Sequence, residues 1–413
     1  MVSTMAEIRT HTFPNGLTLA VEEQPWNPGV SFTILVPAGA VTDPEGLEGA
    51  SSVLESWLWK GAGTRDARSF AEALDALGVR RASGAGLEYT TFSASLLAPH
   101  LGEALALYAD LLQRPWLPEE EFEAVRLLAL QELAALEDQP SKKLFVHLRR
   151  AVFTSPHGRD AAGRREDLLA MTPDALRADY ARRYGARGVV IGVCGGVRFE
   201  EVRDLVEAHW GGWTGGAPEP PAVTLSEPHT LHVPQDTAQV QIGLFYTDVP
   251  PTHPEFYTAR LAAEVLSGGM ASRLFTEVRE KRGLVYAVSA SPGSVGGVGY
   301  LAAYAGTTPE RAAETLKVLT REIARLSEGV SADELARAKV GVRSALVMQG
   351  ESSRARAAAL ARDWFVLGRV RSLEEIEREV EAVTLERINH FLEAHPYERP
   401  WVGTLGAQPV EVA

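Results

Sequence analysis

Apolar residues recur along this chain at two spacings, and the order in which the spacings change is itself repeated. TTFSASL from Thr90 alternates with period two, the pattern of a half-buried strand. Leu17–Val21 and Val30–Val36 read as strands before it, and Val240–Tyr246 and Leu284–Ser289 read as strands later. Amphipathic helical patterns follow in PHLGEALALYADLLQ from Pro99, PEEEFEAVRLLALQEL from Pro118 and MTPDALRADYARRY around Thr172. Each has a later counterpart: PERAAETLKVLTREI from Pro309, SADELARAKVGVRSAL from Ser331 and VTLERINHFLEAH around Thr384. The displacements are 210, 213 and 212 residues. Three helices in one order at nearly constant spacing predict an internal duplication. Two units are too few for a solenoid, so the pattern predicts two tandem domains. Strands mixed irregularly with several helices predict an α+β fold.

The clearest break is GGWTGGAPEPPAVTLSEPH, from Gly211 to His229, where glycine and proline crowd together and apolar periodicity vanishes. It predicts a domain over 1–213, a linker over 214–228 and a second domain over 229–413. A chain of 413 residues has material for two cores. A net charge of -13 excludes a nucleic-acid partner, which an acidic surface would repel. No apolar run reaches the roughly 18 residues that a membrane span needs. The opening MVSTMAEIRTHTFPNG has no basic stretch followed by an apolar one, so a cytoplasmic chain is expected.

Cys194 is the single cysteine and sits in VVIGVCGGV, where it reads as a small core residue of a buried strand. His229 and His232 fall at the linker and read as solvated. Gly84, Gly86 and the cluster Gly293–Gly299 lack the strand–loop–helix order of a phosphate site and read as flexible loops.

GLEGASSVLESWLWKGAGT, from Gly46, resembles a metallopeptidase signature in which a helix carries His-x-x-Glu-His. Two histidines four apart share one helical face and bind zinc, while the glutamate between them acts as general base on the metal-bound water. A distal glutamate supplies the third ligand. The family is that of pitrilysin, insulin-degrading enzyme and the mitochondrial processing peptidase, the inverted zincins. Its fold is two tandem homologous domains of the processing-peptidase (LuxS/MPP-like metallohydrolase) type. In this chain the histidine positions are Ser52 and Ser56, the general-base position keeps Glu55, and Glu132 in LALQELAALEDQP matches the distal ligand. Neutral serine hydroxyls compete poorly with water for zinc, and a catalytic site needs about three protein ligands. The resemblance thus implies a degenerate zinc site and no metal on this chain. If the family geometry holds, Glu55 and Glu132 face one another across the vacated site, so either one of them is protonated or both are held by hydroxyl donors, for which Ser52 and Ser56 are placed. Arg81-Ala82-Ser83 stands where the family has an Asn-Ala pair before its substrate-pairing strand, so a substrate contact is lost as well.

The second half holds LSGGMASRLFTEVREKRGLVYAVSASPG, from Leu266, which resembles the family's second signature nearly residue for residue. Locally it predicts a helix ending at Lys281–Arg282–Gly283 and a strand from Leu284, with Arg279 in the last helical turn and Tyr286 at the head of the strand. The matching Arg and Tyr of the family contact substrate and stabilise the tetrahedral oxyanion opposite zinc. The similarity also covers TFPNGLTLAVEE, SPHGRDAAGRREDLLAMTPDALRADYARRY, DTAQVQIGLFYTDVPPTHPEFY and GRVRSLEEIEREVEAVTLERI.

Loss in one half and retention in the other resemble the division of labour in a heterodimer. The resemblance implies a zinc-free subunit, inactive alone, that presents Arg279 and Tyr286 to the zinc site of a homologous partner acting on peptides. The alternative is a non-catalytic structural or peptide-binding homologue.

Overall fold

The computed structural model describes residues 7–410. It contains one six-stranded and one five-stranded sheet, each with its own hydrophobic core. The first sheet is built from β1 (Glu7–Thr12), β2 (Thr18–Glu23), β3 (Gly29–Val36), β6 (Arg80–Ala85), β7 (Thr90–Leu97) and β8 (Val190–Gly195). A small ribbon, β4 (Gly61–Ala62) and β5 (Arg65–Asp66), lies outside it. The second sheet is built from β9 (Thr230–Pro234), β10 (Val240–Asp248), β11 (Val285–Val295), β12 (Val298–Thr307) and β13 (Trp401–Gly406).

The duplication expected from the helices extends to the sheets. The strand orders are β1-β2-β8-β3-β7-β6 and β9-β13-β10-β12-β11, so from β2 onward they coincide. In each sheet one pair is parallel, β2 with β8 and β9 with β13, and the other pairs are antiparallel. The matched helices are Leu101–Gln113 with Ala312–Ala324, Glu119–Ala134 with Ala332–Gly350, and Pro173–Arg183 with Leu385–Ala394. Even the capping recurs. Thr172 accepts a hydrogen bond from the Ala175 amide at 3.3 Å, and Thr384 from the Arg387 amide at 3.2 Å. Each threonine satisfies one of the donors that a helix start leaves open.

The units differ from the contiguous halves expected at 1–213 and 229–413. Unit 1 takes the chain up to Ala135, Arg159–Pro221 and Gln349–Ser372; unit 2 takes Leu136–Gly158, Ala222–Met348 and the chain from Leu373. Two equivalent helices are exchanged. Ser353–Leu367 packs on β2, β3 and β8 of unit 1, and Pro140–Val152 packs on β9, β10 and β13 of unit 2. Amphipathic periodicity tells that a helix has a face to bury, not which sheet receives it.

Glycine makes the exchange possible. A Cβ on Gly192 of β8 would lie 2.2 Å from the Ala357 carbonyl oxygen, and one on Gly403 of β13 would lie 3.0 Å from Leu144. On β8 the helix backbone therefore rests almost directly on the strand, and on β13 the Leu144 side chain makes the contact. A buried ion pair fixes the first helix further: Arg356 donates to Glu22 Oε2 through Nε at 2.7 Å and Nη2 at 2.5 Å. Gln24 Nε2 donates to the other carboxylate oxygen at 3.1 Å. Cys194 Sγ lies 3.8 Å from that same oxygen, and burial, followed by the Glu22 charge, pushes its thiol pKa up. It is buried in a strand, as the sequence pattern indicated. Among the described residues no helix is long and apolar enough to cross a membrane.

The glycine cluster from Gly293 is not a loose loop. Gly293 and Gly299 lie in β11 and β12, and Gly296 (φ 53°) with Gly297 (φ 82°) form the two-residue turn joining them. Two positive φ angles in succession suit the twist of a hairpin. Gly84 likewise lies in a strand, β6.

Replacing Gly192 with valine should lower unfolding stability by about 1–3 kcal/mol through overpacking against Ser353–Leu367. Gly84→Val, where an added Cβ meets nothing within 4 Å, is the control and should change it little. Urea denaturation of the two variants makes the comparison; equal stabilities would mean that the helix does not lie on β8.

Candidate functional site

The helix Ala50–Leu58 carries Ser52, Glu55 and Ser56, and its start is held from a distance. Its N-cap is Gly49, at φ 104°, which has no side chain to cap with. Asp43 does that work: its carboxylate accepts the Gly49 amide at 2.8 Å and the Ser51 amide at 2.9 Å. Arg183 in turn donates to Asp43 at 3.0 Å and also to Asp179, with the Asp43 and Arg183 side chains fully buried. Burial raises the Asp43 pKa to about 6, against the opposing pull of Arg183 and the two amides. Sequence reasoning missed Asp43 and Arg183, because a cap six to eight residues away leaves no periodic signal.

The serines expected at ligand positions have other partners. Ser52 Oγ donates to the Ala161 carbonyl at 2.6 Å, not to a carboxylate as expected. Ser56 Oγ does donate to Glu55 Oε2, at 3.3 Å. The other Glu55 oxygen accepts the Trp59 indole N–H at 3.0 Å, and that N–H is shared with Ser83 Oγ at 3.1 Å. The Arg81 guanidinium stacks 4.2 Å above the Trp59 ring. These groups line a recess of about 290 Å³, closed on another side by Val125 and Leu128. Glu132 is exposed on the helix Glu119–Ala134, one turn beyond Leu128, and bonds to none of the described residues. Trp59 stands four residues after Glu55, and that i,i+4 spacing is the signal of their contact in the sequence.

Among the described residues no group of three or more His, Cys, Asp or Glu could hold a metal ion. A zinc ion also does not fit the donor set at the helix: two neutral hydroxyls, one already committed to a carbonyl, beside a carboxylate held by an indole. His232, expected to be solvated, lies on β9 and bonds through Nδ1 to Thr404 Oγ1 at 2.9 Å.

In unit 2, the helix expected to end at Lys281–Arg282–Gly283 closes with a π-helical turn over Phe275–Glu280. The Lys281 amide bonds to the Thr276 carbonyl, five residues back, at 3.0 Å. Gly283, at φ 58°, then ends the helix, its amide bonding to the Arg279 carbonyl at 3.0 Å. Tyr286 occupies a bulge in the edge strand β11: Val285 faces Thr307 and Ala287 faces Gly306, leaving Tyr286 as the extra residue. Its side chain is 81% exposed.

Arg279 lies 5.6 Å from the Tyr286 ring centroid and 4.9 Å from that of Phe275. Its neighbours Lys281 and Arg282 both bond to Glu277, at 2.6 and 2.9 Å, which holds that carboxyl below its usual range. Arg279 pairs with no acid among the described residues. An exposed phenol and an unpaired guanidinium therefore stand side by side, a ready pair of donors for an oxyanion.

Residues 18–163 match the family described as Insulinase (Peptidase family M16), and residues 170–341 match the Peptidase M16 inactive domain. A Mycobacterium bovis protein described as an uncharacterized zinc protease is 30% identical over 391 residues, 92% of this chain and 89% of its own. A Bacillus subtilis protein with the same description is 28% identical over 386 residues, 92% of this chain and 94% of its own. A Pseudomonas fluorescens crystal structure described as a peptidase M16 inactive domain superposes with a TM-score of 0.88. That match is 20% identical and covers 98% of this chain and 99% of the other, so it speaks to fold.

The raised Asp43 pKa gives a signed expectation. A carboxyl whose folded pKa exceeds its unfolded value stabilises the fold fully below about pH 4, and that contribution is lost as pH rises through about 6. Carboxyl NMR of the folded protein should show Asp43 titrating near pH 6; a midpoint near 4 would remove the effect.

Proposed function

This chain belongs to peptidase family M16, and from that premise we propose that it is the zinc-free, Arg/Tyr-bearing subunit of a heterodimeric metallopeptidase. The supporting observation is the unpaired Arg279 beside a Tyr286 turned outward by a bulge, in a chain whose own zinc-ligand positions hold Ser52 and Ser56. A purely structural homologue has no chemical use for an unpaired guanidinium and an exposed phenol so placed. Zinc is carried by a homologous partner. Arg279 and Tyr286 orient the peptide there and donate hydrogen bonds to the oxygen on which negative charge develops.

Peptidase assays of this chain, of a zinc-bearing M16 homologue and of their mixture test the reading. Turnover should rise in the mixture over either alone. Tyr286→Phe and Arg279→Ala should each reduce it by about two orders of magnitude, with the complex still intact by sedimentation. Full activity of both variants in an intact complex removes the catalytic role.

A second experiment addresses the correspondence of Ser52, Ser56 and Glu132 with metal ligands. Ser52→His combined with Ser56→His should give the folded protein a zinc site that the unmodified chain lacks, read by calorimetric titration with zinc. Equal, weak binding by both proteins would mean that these three positions do not converge.

A further inference from the structure

Strand β9 and the helix Ala312–Ala324 border a recess of about 380 Å³ that includes Lys317, Arg399 and His229 among its walls. The internal duplication provides a reference for this flank. In unit 1 the corresponding β2 and Leu101–Gln113 are covered by the helix Phe199–Trp210, which buries Phe199, Val202, Val206 and Trp210. The contact is close, since a Cβ on Gly102 would lie 3.2 Å from Leu205. In unit 2 Thr230 of β9 and Lys317 of the helix are exposed.

Register fixes which positions correspond. Ile191 pairs with Leu19 and Val402 with Thr230, so the buried Leu19 and Val21 correspond to Thr230 and His232. On the helix, Ala106 and Ala109 correspond to Lys317 and Thr320. Four apolar positions have thus become polar or cationic. Such a surface disfavours an apolar helix as its cover and favours a ligand that brings negative charge.

The cations are poorly neutralised. Lys317 makes no ion pair or side-chain hydrogen bond with any described residue. Arg399 is held in left-handed backbone at φ 53°, and its acidic neighbour Glu227 is 3.9 Å away with a side chain 94% exposed. His232, on the same face of β9 as Thr230, has a buried Nε2 without a partner among the described residues. Leu316, Val402, Pro228 and Pro400 give the recess an apolar wall beside Thr230 and Thr320, and a bare inorganic anion would leave that wall uncovered.

We infer that this recess binds the C-terminal carboxylate of a peptide, with the oxyanion at Lys317 and Arg399 and the terminal side chain against Leu316 and Val402. β9 is the edge strand of its sheet and pairs on its outer side with no strand among the described residues, so the preceding residues of the peptide can run along it. Guanidinium and ammonium groups supply charge-assisted hydrogen bonds to a carboxylate.

The probes are N-acetylated Ala-Ala-Leu as the free acid, the same peptide as its C-terminal amide, and inorganic phosphate. Each is titrated into the full chain by calorimetry, with amide NMR shifts at Thr230 and Val402 locating the site. The free acid should bind with shifts at both residues, and the amide should bind at least about 10-fold more weakly. Lys317→Ala and Arg399→Ala should each weaken the free acid by about 10-fold, with unchanged thermal unfolding showing that the fold persists. Equal binding of acid and amide, binding of phosphate but not of the free acid, or no binding by any probe overturns the proposal. So does full affinity of both variants.

Discussion

The helix Ser353–Leu367 lies on β8 so closely that Gly192 has no room for a side chain, and Pro140–Val152 lies on β13 with its Leu144 and Leu148 side chains against Gly403. Most of the architecture depends on these two contacts. Each sheet has one face packed on its own core and the other closed by a helix from the other half of the sequence. Without those helices, strands such as β3, nearly all of whose residues are buried, would present an apolar face to water. The buried Glu22–Arg356 pair adds direction to the first contact. Removing one partner of such a pair costs about 3–5 kcal/mol, because the other charge is left without compensation.

Duplication then produced two similar scaffolds that diverged in chemistry. In unit 1 the helix Ala50–Leu58, which carries Ser52, Glu55 and Ser56, is capped at its start by Asp43. The recess beside it has been refilled by an internal network, in which Glu55, Ser56, Trp59, Ser83 and Arg81 engage one another. In unit 2 the emphasis is reversed. The π-helical turn and the β11 bulge hold Arg279 and Tyr286 outward, and the acid at hand, Glu277, is occupied by Lys281 and Arg282. One scaffold has turned its polar groups on itself, and the other keeps them available.

The comparison of equivalent positions is informative because the shared topology removes most other variables. Leu19 and Thr230 occupy the same place in the same sheet order, yet one is fully buried and the other exposed. The difference goes with side-chain polarity: the apolar Leu19 is packed in its core, and the polar Thr230 is left to solvent.

By itself, the sequence determined the duplication, the helices that carry it, the burial of Cys194, and the identity of the residues at Ser52, Ser56, Arg279 and Tyr286. These are properties of local pattern and fixed spacing, and side-chain chemistry travels with residue identity. Tertiary structure alone decided which helix closes which sheet, since amphipathic periodicity marks a face without naming its partner. It also decided that Ser52 bonds to the Ala161 carbonyl, that Asp43 caps a helix from outside it, and that Tyr286 occupies a bulge. Each of these joins residues distant in sequence or depends on strand register. A one-dimensional pattern carries no record of such distances, because they are fixed only when the chain is packed.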